Sequence, residues 1–349
     1  MGNKRIYPTL FDFDNSNSGV KNENLSSNSS ELDYFLALFD DEIVNVIIEN
    51  TNLYAKQQNA SMWKDIDKRD LFIFIALTLL MPYEKNTMSR DRYLQILRNL
   101  HFQDNEMQVP PNNRLHKMGP ILELIQRNFK RQLYPFQDVV IDESLILFKG
   151  RLHFKQYIKS KRHRFGIKLF VLCDCETAYI LNFDVYVGKE NEKSVNQEDL
   201  VYLVHDNYYT SPALSTYLHK HKTNSCGTVR SNRKKLPKFE KKLKKGETEF
   251  RSSEHMLALK WKDRREVFML STMHENKMVT LPKKDRITGE NIKKPLCVVD
   301  YNRKMGAVDK TDMMISSLDC TCKTIKWYKK LFMHIVTFVK VTFVTADIY

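Results

Sequence analysis

Val139-Val140-Ile141-Asp142-Glu143-Ser144-Leu145-Ile146-Leu147-Phe148 is apolar enough for a buried strand, yet carries two adjacent carboxylates at its centre. Burying a carboxylate without a partner costs several kcal/mol. A strand keeps one there when something positive compensates it, either an arginine or a metal ion that takes oxygen ligands. Alternation puts Asp142 and Glu143 on opposite faces, so at most one of them points at any given site. A strand end with two solvated acids is the plainer alternative.

Downstream of this stretch the pattern stays β. Gly166–Asp174 reads as a second strand and Ala178–Val187 as a third, with Tyr179, Leu181, Phe183, Val185 and Val187 on one face. The short turn at Asp174–Thr177 makes these two a hairpin. Leu200–Val204 is a fourth strand that runs straight into His205-Asp206-Asn207, and Val267–Thr272 is a fifth. After Met305-Gly306 a helix carries Val308, Asp309, Asp312, Met313 and Ile315, with Asp309 and Asp312 on one side. Ile325–Tyr349 reads as a packing helix with strand character from Val336 onward.

Upstream the pattern is helical. Ser30 caps a helix with Glu31 and Asp33 in its first turn, and Tyr34, Phe35, Leu38, Ile43, Val46 and Ile47 form its apolar face. Further helices cover Leu71–Met81, a segment starting near Ser89, and roughly Met118–Arg131. Three antiparallel strands, then a fourth, then a helix, begin a ribonuclease-H-like sheet. In that architecture strands one and four are neighbours, so Asp142 and Asp206 meet at one edge and Asp309 closes the site from a helix. Three convergent carboxylates would bind two Mg²⁺ ions, which stabilise the attacking and leaving oxygens of a phosphoryl transfer.

The expected fold class is therefore mixed α/β. Residues 1–30 are a flexible acidic arm, 31–136 a helical dimerisation and DNA-binding region, and 137–211 the first part of the core. Residues 212–300 are a basic insertion with part of the core, and 301–349 the C-terminal core helices. A length of 349 residues supports a sizeable core. Charge is unevenly placed. Residues 1–50 hold three Lys/Arg against nine Asp/Glu, a net of −6, and residues 219–265 hold sixteen against five, a net of +11. A polyanion is the natural partner of such a block, and nucleic acid is the commonest one; a solvated charged loop is the alternative.

Six cysteines in this length are no disulfide scaffold, and the C-x-C pairs Cys173/Cys175 and Cys320/Cys322 lack zinc-site spacing. No signal-peptide region opens the chain, and the longest apolar run, Leu71 to Met81, is too short to span a bilayer.

Several ordered motifs resemble the piggyBac transposase family. They are Asp142-Glu143-Ser144, Phe148-Lys149-Gly150-Arg151, Phe154-Lys155-Gln156-Tyr157, Ser160-Lys161-Arg162 and Gly166-Ile167-Lys168. Asp206-Asn207-Tyr208-Tyr209-Thr210-Ser211, Gly227-Thr228-Val229-Arg230-Ser231-Asn232-Arg233-Lys234 and Asp300-Tyr301-Asn302 continue the series, which ends in Met305-Gly306-Ala307-Val308-Asp309-Lys310-Thr311-Asp312. The resemblance implies that Asp142, Asp206 and Asp309 are the catalytic, metal-holding aspartates, with Asp312 a further required acid. It implies Mg²⁺ or Mn²⁺, two ions, and DNA cleavage and strand transfer at transposon ends. It implies double-stranded DNA as partner, room for a homodimer, action in the nucleus, no membrane and no small-molecule cofactor.

Lys149, Arg151, Lys155, Lys161, Arg162, Arg230, Arg233 and Lys234 are expected, as a set, to meet DNA phosphates. The run Lys241, Lys242, Lys244 and Lys245 is expected to add to the salt dependence of binding. Three departures from the family stand beside this. The Gly188–Asp199 link is short and polar where the family carries a helix, the family's segment between the second helix and Met88-Ser89-Arg90 is absent, and no cysteine- and histidine-rich tail follows Tyr349. Eleven or twelve extended residues reach roughly 40 Å, enough to close the sheet, but one face should lose its helical cover. Two functions stay open: a transposase-derived metal-dependent enzyme with impaired transposition, and a non-catalytic DNA-binding derivative.

Overall fold

The structure is a computed structural model and describes residues 8–21, 25, 29–80, 87–159, 161, 164–188, 202–284, 289–317 and 324–346. A two-residue strand, β1 (Gly19–Val20), pairs antiparallel with β2 (Leu133–Tyr134) and pins the N-terminal arm to the body. The helical region then opens with a capping box. Ser30 Oγ accepts the Asp33 N–H, and the Asp33 carboxylate accepts the Ser30 N–H at 2.8 Å, starting α1 (Glu31–Leu38). The continuous apolar face expected from Tyr34 to Ile47 is in fact broken. Asp40 accepts the Ile43 N–H at 3.1 Å and starts a second helix, α2 (Asp41–Gln57). Two helices joined by a capping aspartate keep the same periodic residues inside, which is why periodicity alone misses the break.

α3 (Lys68–Leu80), α4 (Arg90–Asn99) and α5 (Ile121–Gln132) follow, and Ser89 caps α4 as expected. Ion pairs tie these helices together: Lys68 on α3 meets Asp41 on α2, and Arg127 on α5 meets Glu42 on α2 at 2.8 Å. Arg92 on α4 meets Asp70 on α3 at 2.6 Å, so this arginine is structural.

The main sheet has nine strands: β3 (Asp138–Leu147), β4 (Gln156–Tyr157), β5 (Phe165–Asp174), β6 (Ile180–Val185), β7 (Tyr202–His205), β8 (Asn224–Thr228), β9 (Thr248–Ser252), β10 (Leu257–Lys262) and β11 (Glu266–Ser271). Their order is β4-β5-β3-β7-β8-β11-β10-β9, with β6 also on β5. β3, β5 and β6 are antiparallel neighbours, β3 pairs parallel with β7, and β7 pairs parallel with β8. α6 (Pro212–Lys220) makes the crossover between the last two, as parallel neighbours require. The block 219–265 therefore does not loop out: β8 to β11 extend the core sheet itself. β9 and β10 escape the strand pattern because charged residues such as Glu249, Arg251, Lys260 and Lys262 sit within them.

A separate ribbon, β12 (Met278–Lys284) with β13 (Asn291–Pro295), leads into α7 (Leu296–Lys304), α8 (Ala307–Ser317) and α9 (Trp327–Ala346). Strand character from Val336 onward is not found; α9 is one helix. Helix propensity penalises β-branched residues by only a few tenths of a kcal/mol each. Burial outweighs that, since Ile335, Val336, Phe338, Val339 and Val341 are all inside.

The two faces of the sheet differ. Ile146 on β3, Ile167, Leu169 and Val171 on β5 and Leu181, Phe183 and Val185 on β6 are buried in the main core. Phe183 stacks edge-on against Phe129 of α5 and Phe338 of α9, so an N-terminal and a C-terminal helix cover this face together. On the opposite face Ile141, Leu145, Leu147, Phe170 and Leu172 are half-buried. The N-terminal helices thus cover the Asp142 side and leave the other side less protected. The link expected at Gly188–Asp199 lies, apart from Gly188, outside the described residues. So do Cys320 and Cys322; Cys173, Cys175, Cys226 and Cys297 are free thiols.

Candidate active site

The parallel ladder between β3 and β7 runs Val139↔Leu203, Val140↔Val204, Ile141↔His205. Asp142 is the next residue of β3 and Asp206 the first residue past β7, which puts them side by side on the Val140–Val204 face. That is the face on which α8 packs, and α8 carries Asp309 in its first turn and Asp312 one turn on. Ser144, two residues along β3 from Asp142, donates to Asp312 Oδ1 at 2.5 Å and fixes the helix to the strand.

The electrostatics follow from this crowding. Burial pushes the Asp142 carboxyl up to about 6. The Glu143 N–H and Lys161 oppose that shift, and the charges of Asp206 and Asp309 reinforce it. Burial likewise raises Asp312, against its bond from Ser144 and the charge of Lys161. Tyr301 on α7 faces the same cluster, and burial lifts its phenol to about 12. A carboxylate held this far from its ordinary range beside other acids is a functional-site signature with a physical cause.

Asp206 is held by a dedicated frame. Thr228 Oγ1 donates to Asp206 Oδ1 at 3.1 Å. Arg233 donates to the Asn207 and Tyr208 carbonyls at 2.6 Å each, and Arg230 Nε to Asn207 Oδ1 at 3.2 Å. Gly227 is required here. A Cβ at that position would collide with the His205 carbonyl and stand 2.5 Å from His205 Nδ1 and 2.6 Å from Thr210 Oγ1. Behind the loop Lys168 forms an ion pair with Glu143 and lies 4.4 Å from the centre of the Tyr208 ring and 4.5 Å from that of Phe170. The Gly227–Lys234 motif thus scaffolds the Asp206 loop, a role its basic composition conceals.

The basic set expected to meet phosphates is consequently split. Lys149, Arg151, Arg230 and Lys234 are exposed, Lys155 is half-buried and donates to the Gly150 carbonyl at 3.1 Å, and Arg162 lies outside the described residues. Lys161 turns inward, with its Nζ 3.4 Å from Asp309 Oδ1 and 3.6 Å from Asp312 Oδ2. Lys241, Lys242, Lys244 and Lys245 are exposed around the buried anchor Leu243. Sequence reasoning missed Ser144, Thr228, Tyr301 and the Lys168–Glu143 pair. Only their place inside the quoted motifs pointed to them.

A mixed sheet with aspartates on adjacent parallel strands and further acids from a late helix defines a ribonuclease-H-like transposase fold. The comparison with solved structures agrees. A piggyBac transposase, determined in a synaptic complex with hairpin DNA, superposes with a TM-score of 0.82 at 23% identity, over 95% of this chain and 77% of that one. The model for Transposase IS4, a DDE transposase family, matches residues 30–87 and 81–341. The chain belongs to that family and is piggyBac-like within it. Human PiggyBac transposable element-derived protein 2 is 24% identical over 89% of this chain and 60% of its own length. Human PiggyBac transposable element-derived protein 3 is 26% identical over 84% and 57%. The chain thus spans about 60% of the length of these curated relatives.

Such a family implies a divalent metal. The donors suit one, being all carboxylate oxygens, the ligands of hard cations such as Mg²⁺ and Mn²⁺. Asp142 supplies a carboxylate whose charge is poorly compensated by the protein. Among the described residues, however, no three acid, imidazole or thiolate side chains are gathered tightly enough to hold an ion as they stand. Asp309 and Asp312 lean toward Lys161 instead. No helix among the described residues is long and apolar enough to cross a membrane.

Proposed function

We propose that this chain carries out metal-dependent cleavage and strand transfer on double-stranded DNA at transposon ends, acting in the nucleus. The observation that carries this is the placement of Asp142 and Asp206 one residue beyond the last ladder pair of β3 and β7, with Asp309 on the helix packed over them. Asp142, Asp206 and Asp309 would hold the ions, Mg²⁺ or Mn²⁺. When bound, such ions polarise a phosphoryl oxygen and activate the attacking hydroxyl. The protein's own part is orientation. Thr228 and the two arginines keep Asp206 in place, Ser144 keeps Asp312 in place, and exposed Lys149, Arg151 and Lys234 offer charge to phosphates. Oligomerisation of the helical region into a homodimer would present two such sites to paired ends.

A second reading, a non-catalytic DNA-binding derivative, draws on Lys161 standing against Asp309 and Asp312. An excision assay with cognate transposon ends separates the two. The first reading expects Mg²⁺- or Mn²⁺-dependent cleavage that Asp142→Asn abolishes while DNA binding persists. Binding without cleavage at any divalent concentration would leave only the second.

A further inference from the structure

Lys161 sits in the turn that joins β4 to β5. Its amide donates to the Ile158 carbonyl at 3.4 Å, and the Ile158 N–H donates to the Arg164 carbonyl at 2.9 Å, closing the turn. The strands on either side are held by Gln156↔Gly166 and Tyr157↔Phe165. The backbone therefore aims this one side chain into the acidic cluster, where it is about three-quarters buried at 26% exposure. Asp309 and Asp312 are within ion-pair distance, and Asp142 adds to the attraction.

An ammonium is a compact point charge on a flexible four-carbon stem. It can occupy the space beside carboxylates that a hard cation would take, and leave it without moving the backbone. We propose that Lys161 is a built-in counter-cation of this site. It holds Asp309 and Asp312 in place while no divalent ion is bound, and a divalent ion displaces it. The inference rests on the metal-dependent reading above and assigns Lys161 a positioning role, distinct from the phosphate contacts of the exposed basic residues. It also accounts for the absence of a tightly gathered acid triad among the described residues. Two of the acids are drawn to the lysine, and metal and lysine compete for the same oxygens.

The test is a calorimetric titration of Mn²⁺ into the full chain without DNA. Removing the competing charge with Lys161→Met should tighten Mn²⁺ binding about tenfold, since two partly exposed ion pairs are each worth a factor of roughly two to five. Lys161→Arg, which keeps the charge, should bind Mn²⁺ close to the wild-type affinity. Should Lys161→Met not fold, the wild-type chain carries the test by brief amine acetylation read by mass spectrometry. Lys161 should label slowly without the ion and several-fold faster with saturating Mn²⁺. Equal or weaker Mn²⁺ binding by Lys161→Met, or unchanged labelling of Lys161 under saturating ion, overturns this role and leaves the metal-dependent reading intact. No Mn²⁺ binding by either protein overturns both.

Discussion

Replacing Asp142 by Asn removes a charge the fold holds unfavourably, and the consequence can be sized. The Asp142 carboxyl stands at about 6 in the folded chain against an ordinary 3.8. Because its folded value is raised, the native state binds a proton more tightly than the unfolded chain between these two pH values. The group's contribution to stability is therefore most favourable below about pH 4 and is lost as pH rises toward 6 and above. Two pH units correspond to about 3 kcal/mol, and the remaining solvent access of this half-buried group lowers that to about 1–3 kcal/mol. At pH 7.5 without divalent ions, Asp142→Asn should therefore be more stable than wild type by that amount. For a chain of this size that is a gain of about 1–5 °C in melting temperature. At pH 4 the two proteins should melt together. Mg²⁺ should then raise the wild-type melting temperature by mass action while leaving Asp142→Asn nearly unmoved. Thermal unfolding followed by circular dichroism at the two pH values, with and without 10-fold steps of Mg²⁺, reads all three effects. A variant that is less stable than wild type at pH 7.5, or that gains equally at pH 4, would refute the reasoning and make Asp142 a structural residue.

His274 supplies a pH effect of opposite sign. Burial opposes its charged form, but Cys226 and Asp300, whose Oδ2 is 2.8 Å from His274 Nε2, overcome that and hold it up at about 9. Its contribution is thus fully present below about pH 6.5 and lost as pH rises through 9, on the order of 2–3 kcal/mol. Denaturation midpoints measured from pH 6 to 9.5 should fall in wild type and fall less in Asp300→Asn, where only the Cys226 contribution remains; parallel curves would exclude the Asp300 pair as a cause. Asp174, fully buried, accepts from the Phe136, Glu176 and Thr177 amides and the Thr177 hydroxyl at 2.8–3.0 Å. Asp174→Ala leaves several of these donors without a partner, so a loss of about 3 kcal/mol or more is expected in urea unfolding, and a loss under 1 kcal/mol would mean that water replaces the carboxylate.

Ser30 and Ser89 announced their helices, and the Asp174–Thr177 turn announced the β5–β6 hairpin, because caps and turns act over three or four residues. The alternation from Val139 to Phe148 set which side chains share a face with Asp142. Motifs strung along the chain carried the family, and with it the three aspartates. Local pattern failed where burial overrode it. The β-branched end of α9 reads as strand until its packing is known, and the charged strands β9 and β10 read as a basic insertion until their neighbours are. The pairing of β3 with β7 is a long-range contact, so sequence could only expect Asp206 beside Asp142 by analogy of architecture. Tertiary structure alone turned Arg230, Arg233 and Thr228 into the frame of the Asp206 loop and aimed Lys161 at Asp309 and Asp312. A lysine or arginine shows the same charge in any sequence. What it does depends on which carbonyl or carboxylate lies within about 3–4 Å, and segments distant in the chain supply those partners.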